Sequence, residues 1–314
     1  MIKFIFIAIL NLFYFQSISQ HKETEIIATH NSDTLWGTLC SPQQSIDTSQ
    51  PLVLIIAGSG PTDRNGNNSV MTNNSLQMLA HDLAKLGIAS IRYDKRGVGA
   101  SFKAYIPEID LTFEDNVNIA EEFYDYGKKQ GYQKIIIAGH SEGSLIGILL
   151  SQRKKPAGFI SLAGAGRPIQ DVLKEQYNVT APIVRDSAHV IIDLLASGVK
   201  VDTLSPWLYS VFRPAIQPYL ISWMKYIPNE EINKLSCPSL IIQGERDLQV
   251  TKEDATELGK DLPENSVVLI ETMNHVLKKV DDDKADNKAS YNDPVRPLHP
   301  DLIFTMVSFI KQLP

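Results

Sequence analysis

A serine lies in a glycine-framed turn near the middle of the chain. Residues 134–138 (KIIIA) predict a strand, residues 139–143 read GHSEG, and a helical pattern follows over residues 142–153. A turn this sharp brings backbone close to backbone, so its two glycines are needed where β-carbons would not fit. Such a turn holds the hydroxyl of Ser141 at the carboxyl edge of a sheet, where it could act as a nucleophile. The alternative is an ordinary Gly/Ser turn, because a five-residue motif also recurs by chance.

A serine hydroxyl is a weak nucleophile at neutral pH, so it needs a base, and the base needs an acid to orient it. Asp247 follows the predicted strand over residues 239–244, and His275 follows the predicted strand over residues 266–271. Both residues therefore belong to loops that leave a sheet edge. The sequence predicts Ser141 as nucleophile, His275 as base and Asp247 as the acid that orients the base.

Other residues could compete for these roles. Asp254 falls within the helix predicted after Asp247, and Glu245 is closer to the end of the strand. His140 lies inside the turn itself, where it is expected to pack as a neighbour of Ser141 rather than to face it. The remaining histidines of the central and last segments, His81, His189 and His299, fall on predicted helices or at their starts. None of them follows the last predicted strand.

Acyl transfer also needs N–H groups that stabilise the oxyanion of the tetrahedral intermediate. The N–H of Glu142, at the start of the predicted helix, supplies one donor. The second is expected from residues 58–66 (GSGPTDRNG), the loop after the predicted strand over residues 52–57. A glycine-rich loop can also bind phosphate, but no Lys-Ser or Lys-Thr pair follows this one.

Strands alternate with amphipathic helices over most of the chain. The predicted strands are residues 23–29, 34–39, 52–57, 88–93, 134–138, 158–163, 239–244 and 266–271, and the first two form a hairpin. The predicted helices are residues 72–86, 112–130, 142–153 and 299–313. Continuous apolar strands separated by helices predict an α/β fold with a mostly parallel sheet flanked by helices.

The alternation stops between residues 165 and 236, where the pattern is mostly helical and rich in aromatic residues. We interpret this segment as a helical cap inserted between a first core part, residues 20–164, and a second core part, residues 237–314. The alternative is a structural annex elsewhere on the sheet. Residues 278–288, rich in Asp and Lys, predict a solvated loop.

From about residue 23 to Leu313, the chain resembles the α/β-hydrolase superfamily. The resemblance rests on the GHSEG turn, on the order Ser141, Asp247, His275, and on the loops GSGPTDRNG and YDKRGVGAS (residues 93–101). Together these motifs are similar to those of bacterial esterases and acyl hydrolases, including exported ones. The resemblance implies an α/β-hydrolase fold and a serine hydrolase that cleaves a small-molecule carboxylic ester through an acyl-enzyme, without a cofactor.

The resemblance also implies roles for residues in two loops. Ser59 would be the second oxyanion donor, with Gly60 as the alternative, because Ala57 stands where many relatives have histidine. Asp94 and Arg96 would form a structural ion pair that braces the loops below the active site, with contact to the substrate as the alternative.

The sequence leaves two rival functions open. A peptidase of the same fold could recognise a substrate amino group through acidic residues of the inserted segment. Those residues are Glu175, Asp186, Asp193, Asp202, Glu230 and Glu231. The second rival is a binding protein that keeps the fold without catalysis.

The first 19 residues differ from the rest of the chain. Lys3 precedes an almost unbroken apolar run over residues 4–15, and the small residues Ser17 and Ser19 follow. This pattern is typical of a secretory signal peptide, so we expect an exported protein, periplasmic or extracellular, without stable membrane insertion after cleavage. A membrane anchor is the alternative, although the run is short for a bilayer span.

The composition and charge of the chain argue against some classes of binding partner. The chain has 314 residues, 43% of them hydrophobic, and a formal net charge of −6, which does not favour nucleic acid or an anionic membrane surface. No CxxC or HExxH motif indicates a metal site. Its two cysteines, Cys40 and Cys237, read as buried thiols, with a disulfide as the alternative.

Overall fold

The computed structural model describes residues 21–42 and 47–314, so the predicted signal segment lies outside the described residues. The strands are β1 His21–His30, β2 Asp33–Pro42, β3 Leu52–Ile56, β4 Ala89–Tyr93, β5 Ile135–His140, β6 Gly158–Leu162, β7 Ser239–Gly244 and β8 Val267–Ile270. They form one sheet in the order β1-β2-β4-β3-β5-β6-β7-β8. β1, β2 and β4 pair antiparallel, and every pairing among β3 to β8 is parallel. The predicted, mostly parallel sheet is confirmed.

Eleven α-helices accompany the sheet in the described part of the chain. They are α1 Ser75–Lys85, α2 Phe113–Lys129, α3 Glu142–Lys154, α4 Ile169–Tyr177, α5 Pro182–Ala196, α6 Tyr209–Phe212, α7 Gln217–Trp223, α8 Pro228–Ile232, α9 Lys252–Gly259, α10 Lys284–Ala289 and α11 Pro300–Gln312. No helix in residues 21–42 and 47–314 is long and apolar enough to cross a membrane.

The sheet carries an apolar core on each face. In β3, Leu52, Leu54 and Ile56 belong to the core shared with α2 and α3, whereas Val53 and Ile55 belong to the core shared with α1 and α11. Successive side chains of a strand point to opposite faces, so a strand covered on both faces must be apolar at every position. This is why the sequence shows continuous apolar runs in β3 and β5 rather than alternation.

Local signals set the ends of several elements. The β1–β2 hairpin turns at Asn31 and Ser32, whose φ angles are 49° and 85°. Helix α2 begins with a capping box in which Thr112 and Asp115 exchange hydrogen bonds between side chain and backbone. The same arrangement of Thr251 and Asp254 begins α9.

The helices α4 to α8 all lie between β6 and β7 in the chain. Helix α7 packs against the start of α2, where the N–H of Phe113 donates a hydrogen bond of 2.8 Å to Ser222 Oγ. The rings of Phe113 and Trp223 stack with centroids 5.4 Å apart. The inserted segment is therefore attached to the core by a helix-terminal hydrogen bond and by aromatic packing.

The structure differs from expectation at one charged segment and agrees with it on the pairing of the cysteines. The solvated loop predicted over residues 278–288 is wrong in part, because Lys278 is fully buried and donates to the carbonyl of Asp293, and residues 284–289 form α10. Cys40 and Cys237 carry free thiols, and burial raises the pKa of each to about 11. The interpretation as thiols rather than a disulfide is confirmed, but only Cys40 is buried, whereas Cys237 is half-buried.

Candidate active site

The turn between β5 and α3 places Ser141 in a strained backbone conformation. Its φ of 55° and ψ of −122° lie in a region that non-glycine residues rarely adopt, which costs about 1–3 kcal/mol. A β-carbon at Gly139 would overlap the carbonyl of Gly143, and one at Gly143 would overlap the carbonyl of Ile56. Both glycines are therefore sterically required, as the sequence predicts. The turn exposes Ser141 to a cavity at the carboxyl edge of the sheet.

The structure brings Asp247 and His275 together from the loops after β7 and β8. Asp247 Oδ2 lies 2.7 Å from His275 Nδ1, and the two side chains are 0% and 5% exposed. Asp247 Oδ1 accepts hydrogen bonds from the N–H groups of Gln249, at 2.7 Å, and Val250, at 2.9 Å. The carboxylate is thus held from both sides in an orientation that fixes the imidazole.

The environment of Asp247 favours its ionised form. Burial by itself would raise the pKa of this carboxyl group. The charge and hydrogen bond of His275, together with the N–H groups of Val250 and Gln249, outweigh burial and lower the pKa. An ionised Asp247 can keep the Nδ1–H tautomer of His275, which leaves Nε2 available to accept a proton.

His140 links the turn to the histidine loop. Its Nε2 lies 2.8 Å from the carbonyl oxygen of His275, to which it donates, and the two rings lie 4.9 Å apart. Burial, followed by the neighbouring His275, lowers the pKa of His140 to about 4. His140 is therefore a neutral neighbour of Ser141 that holds the backbone of His275 close to the turn. This agrees with the packing role expected from the sequence.

The loop after β3 lies directly beside the serine. A β-carbon placed on Gly58 would lie 3.1 Å from Ser141 Cβ, so Gly58 permits the close approach. Ser59, Gly60 and Glu142 line the same cavity as Ser141. Both predicted oxyanion loops therefore meet at the nucleophile, and the assignment of the second donor to Ser59 or Gly60 stays a prediction.

Two sets of buried polar contacts, which the sequence analysis missed, lie at these loops. Lys95 Nζ donates to the carbonyl of Gly58 at 2.6 Å. The carboxylate of Glu142 accepts from Tyr219 Oη at 2.8 Å, and Tyr219 Oη in turn accepts from Asn116 Nδ2 at 3.1 Å. The signal available in the sequence was the lysine inside the YDKRGVGAS loop, which directly follows β4.

The loop at Asp94 departs from expectation. Asp94 does not pair with Arg96: its carboxylate binds Arg64 through Nη2 at 2.8 Å and Nε at 3.0 Å. Arg96 pairs with Asp33 of β2 instead. Both residues do brace loops, as the resemblance implied, but each uses a partner distant in the chain, which residue spacing alone could not reveal.

The cavity beside Ser141 has a volume of about 630 Å³. Apolar side chains of α3, α4 and α7 form much of its wall, including Leu145, Ile169, Val172, Leu173, Leu220 and Trp223. Lys95, Asn116, Glu142 and Tyr219 add polar groups at one part of the lining. The helices between β6 and β7 thus contribute directly to the space into which Ser141 opens.

One group of possible metal ligands is closely spaced among the described residues. Glu23, Cys40 and His81 place one ligand atom each within 4.8 Å of one another. The carboxylate of Glu23 already binds the buried guanidinium of Arg92 and lies 2.8 Å from His81. These contacts neutralise Glu23 without a metal ion, and the group lies outside the cavity of Ser141.

Comparisons with known proteins agree with this architecture. The profile of a family described as serine aminopeptidase, S33, matches residues 70–211. Esterase EstD of Thermotoga maritima is 25% identical over 233 residues, which cover 72% of this chain and 54% of EstD. The chain thus spans about half the length of this curated relative.

Solved structures share the fold at low sequence identity. Est1E from Butyrivibrio proteoclasticus superposes with a TM-score of 0.61 at 18% identity, over 92% of this chain and 99% of Est1E. A thermophilic esterase from Thermogutta terrifontis gives a TM-score of 0.55 at 16% identity, over 93% of this chain and 98% of that one. With its parallel sheet, its strained GHSEG turn and these similarities, the chain has an α/β-hydrolase fold and resembles esterases of that superfamily.

Proposed function

We propose that this protein is a serine hydrolase that cleaves carboxylic esters of small molecules through an acyl-enzyme formed on Ser141. The observation that carries the proposal is the buried Asp247–His275 pair, 2.7 Å apart, set against the turn on which Ser141 faces a cavity. The similarity to EstD supports hydrolysis of an ester in particular. Est1E, which shares the fold, has been solved with ferulic acid bound.

In the proposed reaction, His275 Nε2 takes the proton of Ser141 while Oγ adds to the ester carbonyl carbon. The N–H groups of Ser59 and Glu142 stabilise the oxyanion, and the alcohol leaves with the proton from His275. Water, deprotonated by His275, then adds to the acyl-enzyme, and the carboxylic acid is released as Ser141 recovers its proton. Asp247 keeps His275 oriented and stabilises its positive charge throughout.

The acidic residues of the inserted segment argue against the aminopeptidase alternative. None of the six, among the residues that the structure describes, lines the cavity of Ser141. Two other carboxylates do: Glu108 forms a two-point ion pair with Arg213, and Glu142 is bonded by Tyr219. Burial raises the pKa of Glu142. A protonated substrate amine would therefore find no unpaired carboxylate in this lining.

We also propose that residues 165–236 act as a cap that selects the substrate. Helices α4 and α7 supply much of the apolar wall, which suits an apolar acyl or alcohol group.

The proposed signal segment would place the enzyme outside the cytoplasm. N-terminal sequencing of protein secreted by an expression host tests this, because cleavage after Ser19 would give a chain that begins at Gln20.

The first experiment compares the wild type with Ser141→Ala on p-nitrophenyl esters of increasing acyl length. We expect the variant to lose a factor of about 10⁴ or more in kcat, because the nucleophile is removed while the fold is kept. Ser187→Ala is the matched control, since Ser187 is exposed on α5 and bonds only its own helix. The acyl-length optimum would report the depth of the cavity.

Two further measurements separate the rival functions. A fluorophosphonate should label the wild type at Ser141, with the modified peptide identified by mass spectrometry. Faster turnover of an aminoacyl p-nitroanilide than of any ester would replace the esterase by a peptidase. A folded protein that neither hydrolyses esters nor reacts with the fluorophosphonate would be a binding protein.

A further inference from the structure

A buried lysine contacts the peptide group that carries the proposed oxyanion donor. Lys95 follows β4 and is only 6% exposed, and its Nζ donates to the carbonyl oxygen of Gly58 at 2.6 Å. Burying an ammonium group is costly unless it is hydrogen-bonded and balanced by charge. This lysine is not part of the proposed proton transfer, so its position needs another explanation.

The geometry of the peptide bond supplies one. The carbonyl of Gly58 and the N–H of Ser59 belong to one planar, trans peptide group, and they point in opposite directions. A hydrogen bond that fixes the carbonyl therefore also fixes the direction of the N–H. Donation to the carbonyl further polarises the N–H, which makes it a stronger donor.

The same lysine faces the second donor residue. Lys95 and the carboxylate of Glu142 are both buried, and they interact electrostatically. The Glu142 carboxylate is held in turn by Tyr219 of α7, at 2.8 Å. Hydrogen bonds thus join Lys95 to the peptide group of Gly58 and Ser59, and Glu142 to a helix of the inserted segment, and electrostatic attraction couples Lys95 to Glu142.

We propose that Lys95 is a positioning residue of the oxyanion site: its hydrogen bond to Gly58 aims the Ser59 N–H at the oxyanion. Glu142 balances Lys95 and links it to Tyr219, so that packing of α7 supports the geometry of the site. The proposal rests on the proposed function, because an oxyanion forms only if Ser141 attacks a carbonyl group. It adds a role for a cavity-lining residue that takes no part in the proposed proton transfer.

The test is Lys95→Met, which keeps the length and apolar stem of the side chain but removes the donor. We expect kcat for a p-nitrophenyl ester to fall about 10²-fold, the cost typical of losing one oxyanion donor. KM should change by less than about threefold, because ground-state binding does not use that donor. Lys128→Met is the matched control: Lys128 also donates to a backbone carbonyl, that of Gln133, but on the surface of α2.

A trifluoromethyl ketone supplies a readout that a purely structural role would not move. Ser141 Oγ adds to its carbonyl carbon and His275 takes the proton, so the inhibitor places an oxyanion in the site. Its Ki should rise in parallel with the loss in kcat, while the urea midpoint of unfolding changes little. Should Lys95→Met fail to fold, Lys95→Leu also removes the donor, and its kcat loss should again exceed its change in KM.

The outcomes separate this proposal from the function on which it rests. If the wild type hydrolyses esters, Ser141→Ala does not, and Lys95→Met keeps its kcat and Ki, the positioning role is wrong and the esterase stands. A lower kcat that is accompanied by a lower urea midpoint of unfolding, with an unchanged Ki, would make Lys95 a structural residue. A wild type without esterase activity would overturn both proposals.

Discussion

At the scale of single residues, the site combines a strained serine with an acid held by four neighbours. Asp247 Oδ2 accepts from His275 and from Gln243 Nε2, and Oδ1 accepts from two backbone N–H groups. The two backbone N–H groups on Oδ1 would also hold the side-chain amide of an asparagine at this position, which carries no charge. The charge and the geometry of this residue can therefore be tested separately.

Asp247→Asn should keep the geometry and lose the correct histidine tautomer. We expect kcat to fall by about 10³ to 10⁴, because the amide would favour the wrong protonation of His275 Nδ1. Initial rates on a p-nitrophenyl ester measure this, with Asp202→Asn, at an exposed position, as the control. Activity of Asp247→Asn close to that of the wild type would show that another acid orients His275.

At the scale of elements, the β5–α3 turn depends on the absence of two side chains. Gly143→Ala would drive a methyl group into the carbonyl of Ile56 at the end of β3. Neither backbone can move without disturbing the sheet, so we expect a loss of about 3 kcal/mol or more in the free energy of unfolding. Urea titration followed by circular dichroism measures it.

Gly198→Ala is the control for Gly143→Ala, because it introduces backbone strain without steric overlap. Gly198 has a φ of 84°, yet a β-carbon there would meet nothing within 4 Å. The expected cost is about 1–2 kcal/mol, from the left-handed conformation alone. Equal losses in the two variants would mean that the turn relaxes around an added methyl group, contrary to the argument from overlap.

The attachment of α7 to α2 makes a second prediction at this scale. Ser222→Ala removes the oxygen that accepts the N–H of Phe113 and leaves that buried donor without this partner. We expect a loss of about 1–2 kcal/mol in the free energy of unfolding. Thr256→Ala is the control, because Thr256 is exposed and bonds only a carbonyl of its own helix. A loss no larger than that of the control would contradict the capping role of Ser222.

At the scale of the whole molecule, His140 should make stability depend on pH. Its folded pKa of about 4 lies below the value of 6.5 typical of exposed histidine. The unfolded chain therefore binds a proton that the folded chain rejects, so stability is full above pH 6.5 and falls as the pH decreases towards 4. Between pH 7 and pH 4.5 this one group should remove about 2–3 kcal/mol.

The comparison of wild type with His140→Asn isolates this contribution, because other titrating groups are common to both proteins. The variant should lose less free energy of unfolding between the two pH values, with His189→Asn behaving like the wild type. Parallel pH profiles of wild type and His140→Asn would show that His140 accepts a proton without unfolding.

The fold could be predicted in most of its parts because its signals are local. Each strand from β3 to β7 is mostly apolar, and the ends of the predicted strands and helices lie within three residues of the observed ones. The candidate site followed from the same signals, because parallel strands bring their carboxyl-end loops to one edge. The solvated loop at Lys278 was wrong because composition does not show which lysine of a charged segment finds a buried acceptor.

The sequence by itself determined the elements, their order and the glycines of the turn, since turn geometry and hydrophobic periodicity act over a few residues. Only the tertiary structure decided the partners of the charged groups: Arg64 for Asp94, the carbonyl of Gly58 for Lys95, and Tyr219 for Glu142. These pairs join residues between 30 and 77 positions apart. Their choice depends on which segments the packed sheet and helices bring within hydrogen-bond distance, and neither residue spacing nor composition contains that information.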